Sequence, residues 1–202
     1  MKKLFQQFNN LNILIIGDVM MDSYLWGNVE RISPEAPVPI VSVTKKENRL
    51  GGAANVALNI QALGANPIIC SVVGNDKEGD EFLSLLEQQN LTGEGIMRVN
   101  DRPTTVKTRV IGHKQQILRI DLEASMFVED EVSQELLRSL KRILETSDIH
   151  AIIFEDYDKG VLTPWLIKEI VEIANAKQII TVVDPKNRNF LNYQNVTLFK
   201  PN

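Results

Sequence analysis

Carboxylates and amides follow short apolar runs at four places in the sequence, and this pattern has the clearest chemical meaning. The polar stretches are GDVMMD (17–22), GND (74–76), EDYDKG (155–160) and DPKN (184–187). Ligands of open α/β sheets bind beyond the carboxyl ends of the strands. Any one such stretch is ordinary for a loop or a helix cap. Four of them predict a polar binding site along one edge of a sheet.

The elements that must position these groups alternate between strands and helices. Apolar, β-branched runs at 13–16, 68–73, 149–154, 179–183 and 196–199 predict core strands. Apolar residues recur at helical spacing over 52–63 and 130–145, and Thr163 with Pro164 predicts the start of a helix that runs to about Ala176. This alternation is typical of βαβ units, so we expect an α/β fold with a mainly parallel sheet.

Two segments interrupt the alternation, at about 23–44 and 104–121. The first contains three prolines in twelve residues, which favours extended chain over helix. The second has the pattern of a β-hairpin, with Lys107 and Arg109 on one face of its first arm. We expect the two segments to pair as a small β lid inserted into the α/β core.

The glycine pair Gly51 and Gly52 opens a predicted helix, and Asn55 follows within one turn. A phosphate-binding P-loop needs a Gly-Lys dipeptide, which this sequence lacks, and the dinucleotide fingerprint needs a third glycine that does not follow Gly93-Glu94-Gly95. Two interpretations stay open. The pair provides a positive φ before a closely packed helix, or it exposes backbone N–H groups to the hydroxyls of a polar ligand.

Composition argues for a small-molecule ligand. The net charge is −4 without a long run of like charges, so nothing indicates nucleic acid or a membrane surface as a partner. The single cysteine, Cys70, lies in an apolar run and is interpreted as a core thiol. No apolar run is long enough for a signal sequence or a membrane span, so we expect a cytoplasmic protein.

The polar stretches, together with RISPEAPVP (31–39), GGAANVA (51–57), QQILRID (115–121) and KPN (200–202), resemble the PfkB (ribokinase-like) carbohydrate kinases. They are most similar to the branch that phosphorylates D-glycero-D-manno-heptose 7-phosphate for ADP-heptose and lipopolysaccharide synthesis. The resemblance implies a three-layer ribokinase-like core, a β lid that closes over the sugar, and a homodimer formed through the lid. It also implies ATP and Mg²⁺ as cofactors.

The resemblance assigns roles to individual residues. Those implied in binding the sugar substrate are Asp18, Asp22, Gly51, Gly52, Asn55, Asp156 and Lys159. Lys107 and Arg109 are implied in binding the sugar's 7-phosphate, with a solvated strand face as the alternative. Asp184, Lys186 and Asn202 are implied in binding the nucleotide phosphates or magnesium. Arg119 and Asp121 are expected to form a structural ion pair, and His113 and His150 match no motif.

One family signature is absent. The G-A-G-D motif, which carries the anion hole and the catalytic aspartate, does not occur in the 202 residues. We therefore expect this chain to be the N-terminal part of a kinase, with the catalytic base beyond Asn202 and negligible activity alone. The alternatives are another PfkB-type kinase for a sugar or nucleoside, and a non-catalytic module for sugar binding or dimerisation.

Overall fold

The computed structural model describes residues 6–201, and a six-stranded sheet forms its centre. Numbered along the chain, the strands of this sheet are β1 (Asn12–Gly17), β4 (Asn66–Gly74), β5 (Ile96–Val99), β8 (Ile149–Glu155), β9 (Ile180–Asp184) and β10 (Leu198–Phe199). Their order is β10-β9-β8-β1-β4-β5, and every neighbouring pair is parallel. The predicted α/β class with a mainly parallel sheet is confirmed.

This sheet is covered by helices α1 (Ala53–Ala62), α2 (Lys77–Gln88), α3 (Asp130–Thr146) and α4 (Pro164–Ala176). The start of α4 follows from the predicted local signals, because the Thr163 hydroxyl accepts a hydrogen bond from Leu166 N at 3.1 Å and Pro164 occupies the first turn. The predicted helices at 52–63 and 130–145 correspond to α1 and α3. Helix α2 and strand β5 are additions to the elements predicted from the sequence.

The helices form two layers, one on each face of the sheet, because successive residues of a strand point to opposite faces. Leu14 and Ile16 of β1 belong to the core that contains α3 and α4, whereas Ile13 and Ile15 belong to the core that contains α1 and α2.

Cys70 is fully buried, and burial raises its pKa to about 12, as a core thiol requires. None of the helices in residues 6–201 combines the length and apolar character needed to span a bilayer.

A second, four-stranded sheet stands on the carboxyl edge of the core sheet. It consists of β2 (Val19–Ile32), β3 (Pro39–Gly52), β6 (Val106–Gly112) and β7 (Gln115–Leu122), in the order β3-β2-β6-β7. The segments 23–44 and 104–121 meet there, because β2 and β6 pair in parallel while both hairpins are antiparallel. We call this the lid sheet.

The alternation of residues gives the lid sheet two unlike faces. Its charged face contains Asp22, Arg49, Lys107, Arg109, Arg119 and Asp121, which occupy matching positions on neighbouring strands. Its apolar face contains Met21, Leu25, Val106, Val110, Leu118, Ile120 and Leu122. The hairpin between β6 and β7 turns at His113 and Lys114, both with positive φ, so His113 is a turn residue.

Candidate active site

Three of the four polar stretches, those that follow β1, β8 and β9, lie at the carboxyl edge of the core sheet beside the lid sheet. Glu155 at the end of β8 is the register partner of Gly17 on β1 and of Asp184 on β9. The chain leaves β1 at Asp18 and enters the lid strand β2 at Val19. Asp22 therefore lies on the lid sheet, which begins at Val19 and not at about residue 23 as the sequence predicts.

Asp18 supports the loop that follows β8. Its carboxylate accepts hydrogen bonds from the backbone N–H groups of Tyr157 (2.8 Å), Lys159 (3.0 Å) and Val161 (3.1 Å). Burial raises the pKa of Asp18, and these three N–H donors oppose that rise. The Asp18 side chain is buried, and its predicted role in binding the sugar stays a prediction. Its carboxylate joins the end of β1 to the loop after β8.

Asp156 has a similar supporting position. Its carboxylate accepts hydrogen bonds from the Tyr193 hydroxyl at 2.9 Å, from Asn189 Nδ2 at 3.2 Å and from Asp158 N at 2.9 Å. The side chain is buried. The carboxylate therefore joins the β8–α4 loop to the segment after β9, and its predicted role in binding the substrate stays a prediction.

Gly51 and Gly52 end β3 directly before α1. Gly52 has φ 58°, and a Cβ there would come within 2.3 Å of the Asp18 carbonyl oxygen. The positive φ that the sequence left as one interpretation therefore applies to Gly52. Gly51 serves a different purpose, because a Cβ on it would lie 2.6 Å from Asp22 Oδ2. Glycine at position 51 thus leaves room for the Asp22 carboxylate.

Asp22 is joined to Arg109 across the lid sheet. Arg109 Nη1 lies 2.5 Å from Asp22 Oδ1, and both side chains are about three-quarters buried. The guanidinium groups of Arg109 and Arg49 lie 5.4 Å and 4.9 Å from the centre of the Tyr24 ring, within the range of cation–π attraction. Arg109 therefore orients Asp22, and its predicted contact with the sugar's 7-phosphate stays a prediction.

Lys107 takes part in a second network that joins the lid sheet to the core. Its Nζ lies 3.1 Å from Asp121 Oδ2 and 3.0 Å from Glu123 Oε2. Lys159, in the loop after β8, reaches the other oxygen of the same carboxylate, with Nζ 2.9 Å from Glu123 Oε1. Arg119 Nε lies 2.8 Å from Asp121 Oδ1, as expected of a structural ion pair.

Glu155 and Asp184 place two carboxylates side by side at the ends of β8 and β9. Burial raises the pKa of Glu155 to about 7, the neighbouring Asp184 carboxylate adds to the rise, and Lys200 and Lys186 oppose it. Lys200 Nζ lies 3.7 Å from Asp184 Oδ2, and Lys186 Nζ lies 5.5 Å from the centre of the Tyr157 ring. The sequence places Asp184 and Lys186 correctly at the carboxyl edge.

A divalent cation fits this carboxylate pair. The buried Oδ1 atom of Asp184 has no hydrogen-bond partner among residues 6–201. Mg²⁺ is usually held by one or two carboxylates together with substrate phosphates. Within the same residues no group of three or more acidic, histidine or cysteine side chains could hold a metal. The described residues therefore offer a divalent cation the two carboxylates of Glu155 and Asp184, and the remaining ligands would include the phosphates of a bound nucleotide.

Asn55 lies apart from these networks. Asn55 is exposed in the first turn of α1 and lines a cleft of about 410 Å³ with Arg49 and Gln88. Asn202 lies outside the described residues, so its predicted contact with the nucleotide stays a prediction. His150 lies on β8, where its Nδ1 accepts a hydrogen bond from Asn12 N at 3.2 Å, in agreement with a structural position.

The sequence analysis missed Glu123 and Arg102. Glu123 continues the two-residue spacing of Arg119 and Asp121, and this spacing identifies it once the hairpin is extended past residue 121. Arg102 donates from Nη2 to the Lys159 carbonyl oxygen at 2.5 Å, a contact that joins residues 57 positions apart. No local pattern signals that contact.

Comparison with known proteins agrees with this geometry. Residues 10–202 match the model of the pfkB family carbohydrate kinases. The chain is 42% identical over 206 residues to the bifunctional protein HldE of Geobacter sulfurreducens and 40% identical over 190 residues to that of Wolinella succinogenes. These matches cover 100% and 94% of the chain but only 41% and 40% of the relatives. The chain thus spans about two-fifths of the length of the curated relatives it matches.

Solved structures share the fold at low sequence identity. The tetrameric inhibited form of phosphofructokinase-2 from Escherichia coli gives a TM-score of 0.69 at 18% identity, with 95% of this chain and 61% of that chain covered. Arabidopsis thaliana ribokinase, solved with ribose and ATP, gives 0.63 at 12% identity, with 95% and 60% covered. The ribokinase-like fold is confirmed, and the family match over nearly the whole sequence shows that the chain belongs to the pfkB family of carbohydrate kinases.

Proposed function

We propose that this chain is the sugar-binding part of a kinase that transfers the γ-phosphoryl group of ATP to the anomeric hydroxyl of D-glycero-D-manno-heptose 7-phosphate. The observation that carries the proposal is the charged face of the lid sheet, where Arg49, Lys107, Arg109 and Arg119 lie on neighbouring strands around Asp22. These cations pair with the carboxylates of Asp22, Asp121 and Glu47, and such a cluster of guanidinium and ammonium groups suits a substrate that already has a phosphate group. The HldE relatives support the same branch of the family.

Asp22 is the group best placed to bind sugar hydroxyls. An ionised carboxylate accepts up to four hydrogen bonds, and Arg109 uses one oxygen of Asp22. The other oxygen, Oδ2, faces Gly51, where the missing Cβ leaves space beside the backbone. A sugar hydroxyl would donate to Oδ2, the oxygen that Arg109 does not use.

ATP and magnesium would occupy the other side of the site. pfkB kinases in general use ATP with a divalent metal. In this chain Glu155 and Asp184 would hold the metal, and Lys186 would lie near the nucleotide phosphates. A bound Mg²⁺ would offset the negative charge of the phosphates during transfer. The residues of this chain thus contribute orientation of the sugar and part of the electrostatic environment of transfer.

The chain alone is expected to bind the sugar phosphate and to show negligible turnover, because it contains no G-A-G-D motif. A coupled ADP-release assay with heptose 7-phosphate and Mg-ATP tests the second part, and robust turnover would refute it. Calorimetric titration with heptose 7-phosphate, and with heptose that lacks the phosphate, tests the first. Equal affinities for the two sugars would exclude a phosphorylated substrate and favour another sugar or nucleoside kinase of the family.

A homodimer through the lid sheet is part of the proposal. Ile120 and Leu122 are each at least half exposed on the apolar face, beside a groove of about 270 Å³ that Met21 and Leu25 also line. An apolar strand face of this kind favours burial against a like surface. A second copy of the chain supplies one. The cytoplasmic location expected from the sequence belongs to the same proposal, since ATP is the phosphoryl donor.

A further inference from the structure

Glu123 joins the lid sheet to the core through both of its carboxylate oxygens. Oε2 lies 3.0 Å from Lys107 Nζ on β6, and Oε1 lies 2.9 Å from Lys159 Nζ in the loop after β8. The exposed fraction of each lysine side chain is only 16%, which is low for a residue type that is almost always exposed. Two mostly buried lysine side chains from separate parts of the fold therefore share the carboxylate of Glu123.

The two lysines are fixed more firmly than the glutamate between them. Both backbone polar groups of Lys159 are hydrogen-bonded. Its N–H donates to the buried Asp18 carboxylate, and its carbonyl oxygen accepts from Arg102. Lys107 lies in the middle of the lid sheet, paired in register with Asp22 and Asp121. Glu123 lies between the end of β7 and the start of α3, outside any helix or strand.

Charge is unevenly matched at this position. Asp121 is shared between Lys107 and Arg119, so it balances the charge of Lys107 only in part. Glu123 pairs with Lys107 and also with Lys159. Burial opposes ionisation of Glu123, but hydrogen bonds from Lys159 and Lys107 outweigh it, so its pKa lies below the usual value. One carboxylate thus faces two ammonium groups. A phosphate dianion would balance both charges and supply more acceptor oxygens.

We propose that Glu123 is an internal substitute for the substrate's phosphate: its carboxylate fills an anion site between Lys107 and Lys159 and leaves it when a phosphate group binds there. This inference rests on the proposed function for the class of substrate, a phosphorylated sugar. It replaces Arg109 by Lys159 as the second cation of the phosphate site, because Arg109 is committed to Asp22. Glu123 then determines specificity, since a neutral sugar cannot displace it.

The test is titration of the chain with inorganic phosphate at constant ionic strength, followed by calorimetry or by the NMR signals of the lysine side chains. Glu123→Gln keeps the size of the side chain and removes the competing charge, so phosphate affinity should rise about fivefold, as expected for loss of a partly buried ion pair. Glu135→Gln is the matched control, because Glu135 is exposed on α3 and pairs only with Arg138 nearby. It should leave the affinity unchanged.

Two further variants locate the site. Adding Lys107→Gln or Lys159→Gln to Glu123→Gln should cancel the gain in affinity. The inference is overturned if Glu123→Gln binds phosphate no more tightly than the parent chain, or if the gain survives in both double variants. Thermal unfolding is measured for each protein. If Glu123→Gln does not fold, Glu123→Asp replaces it, because the shorter carboxylate cannot reach both lysines and should also increase the affinity.

Failure of this inference and failure of the proposed function give different results. Phosphate binding does not depend on the identity of the sugar or on turnover. Tighter phosphate binding by Glu123→Gln, together with equal affinity of the parent chain for heptose and heptose 7-phosphate, would refute the proposed substrate and keep the anion site. Unchanged phosphate binding, together with a preference for heptose 7-phosphate, would refute the role of Glu123 alone.

Discussion

A Cβ atom on Gly51 would lie 2.6 Å from Asp22 Oδ2, so the backbone of one lid strand and the carboxylate of its neighbour occupy adjoining space. The contact explains why glycine at position 51 matters although its φ is not positive. Asp22 is positioned from two sides, by this close backbone approach and by Arg109 Nη1 at 2.5 Å. We therefore expect the proposed sugar site to be sensitive to a single added methyl group.

Gly51→Ala should displace Asp22 and weaken sugar binding with little loss of fold. We expect at least about a tenfold loss of affinity for heptose 7-phosphate, since a misplaced carboxylate loses a charge-assisted hydrogen bond. Gly93→Ala is the control, because a Cβ there would meet only Leu83 Cδ2 at an ordinary 3.4 Å. Titration calorimetry on both variants measures the difference. Equal affinities in the two variants would show that Asp22 does not bind the sugar.

Asp18→Asn should destabilise the chain. Asparagine has one acceptor oxygen in place of two, so its NH₂ group would face a backbone N–H of the loop from Tyr157 to Val161. A buried donor without an acceptor costs about 2 kcal/mol or more, which corresponds to a fall of roughly 6 °C in Tm for a domain of this size. The exposed Asp101, changed to Asn, is the control. A Tm unchanged by Asp18→Asn would contradict the supporting role.

Glu155 should make stability fall as pH rises. Its pKa is about 7 in the folded chain, against 4.5 as its ordinary value, because of burial and then Asp184. A carboxyl with a raised folded pKa contributes stability that is complete below pH 4.5 and lost as pH rises through about 7. Glu155→Gln should therefore flatten the decline in unfolding free energy between these pH values. Urea unfolding at several pH values measures it, with Glu135→Gln as the control variant. Parallel curves for the parent and Glu155→Gln would contradict the raised pKa.

Local sequence signals predict the elements well, and contacts between distant residues account for what they miss. The start of α4 depends on Thr163, Pro164 and Leu166, which are neighbours in the chain. The role of Asp18 depends on N–H groups 139 to 143 residues away, so sequence could place the carboxylate at the correct edge but could not show which way it pointed. Glu123 was missed for a related reason, since its partner Lys159 belongs to another part of the fold.

Ile120→Lys should keep the chain monomeric if the apolar face of the lid sheet forms the homodimer. Ile120 is 55% exposed on that face, so a lysine there is tolerated in the monomer but would place a charge in the interface. Leu63→Lys is the control, because Leu63 is also exposed but lies at the end of α1, which belongs to the α/β part of the fold and not to the lid sheet. Light scattering after size exclusion measures the mass. A parent chain that is monomeric at high concentration would refute the dimer.

Substitution of Lys107 and of Arg109 should affect the binding of phosphorylated and unphosphorylated heptose differently. Lys107→Ala removes a cation from the position proposed for the phosphate, so it should weaken binding of heptose 7-phosphate and leave binding of unphosphorylated heptose unchanged. Arg109→Ala removes the partner that orients Asp22, so it should weaken binding of both sugars by similar factors. Titration of each variant with both sugars gives four affinities. If Arg109→Ala affects only the phosphorylated sugar, Arg109 binds the phosphate as the sequence predicts, and the assignment of Lys159 as the second cation of that site is wrong.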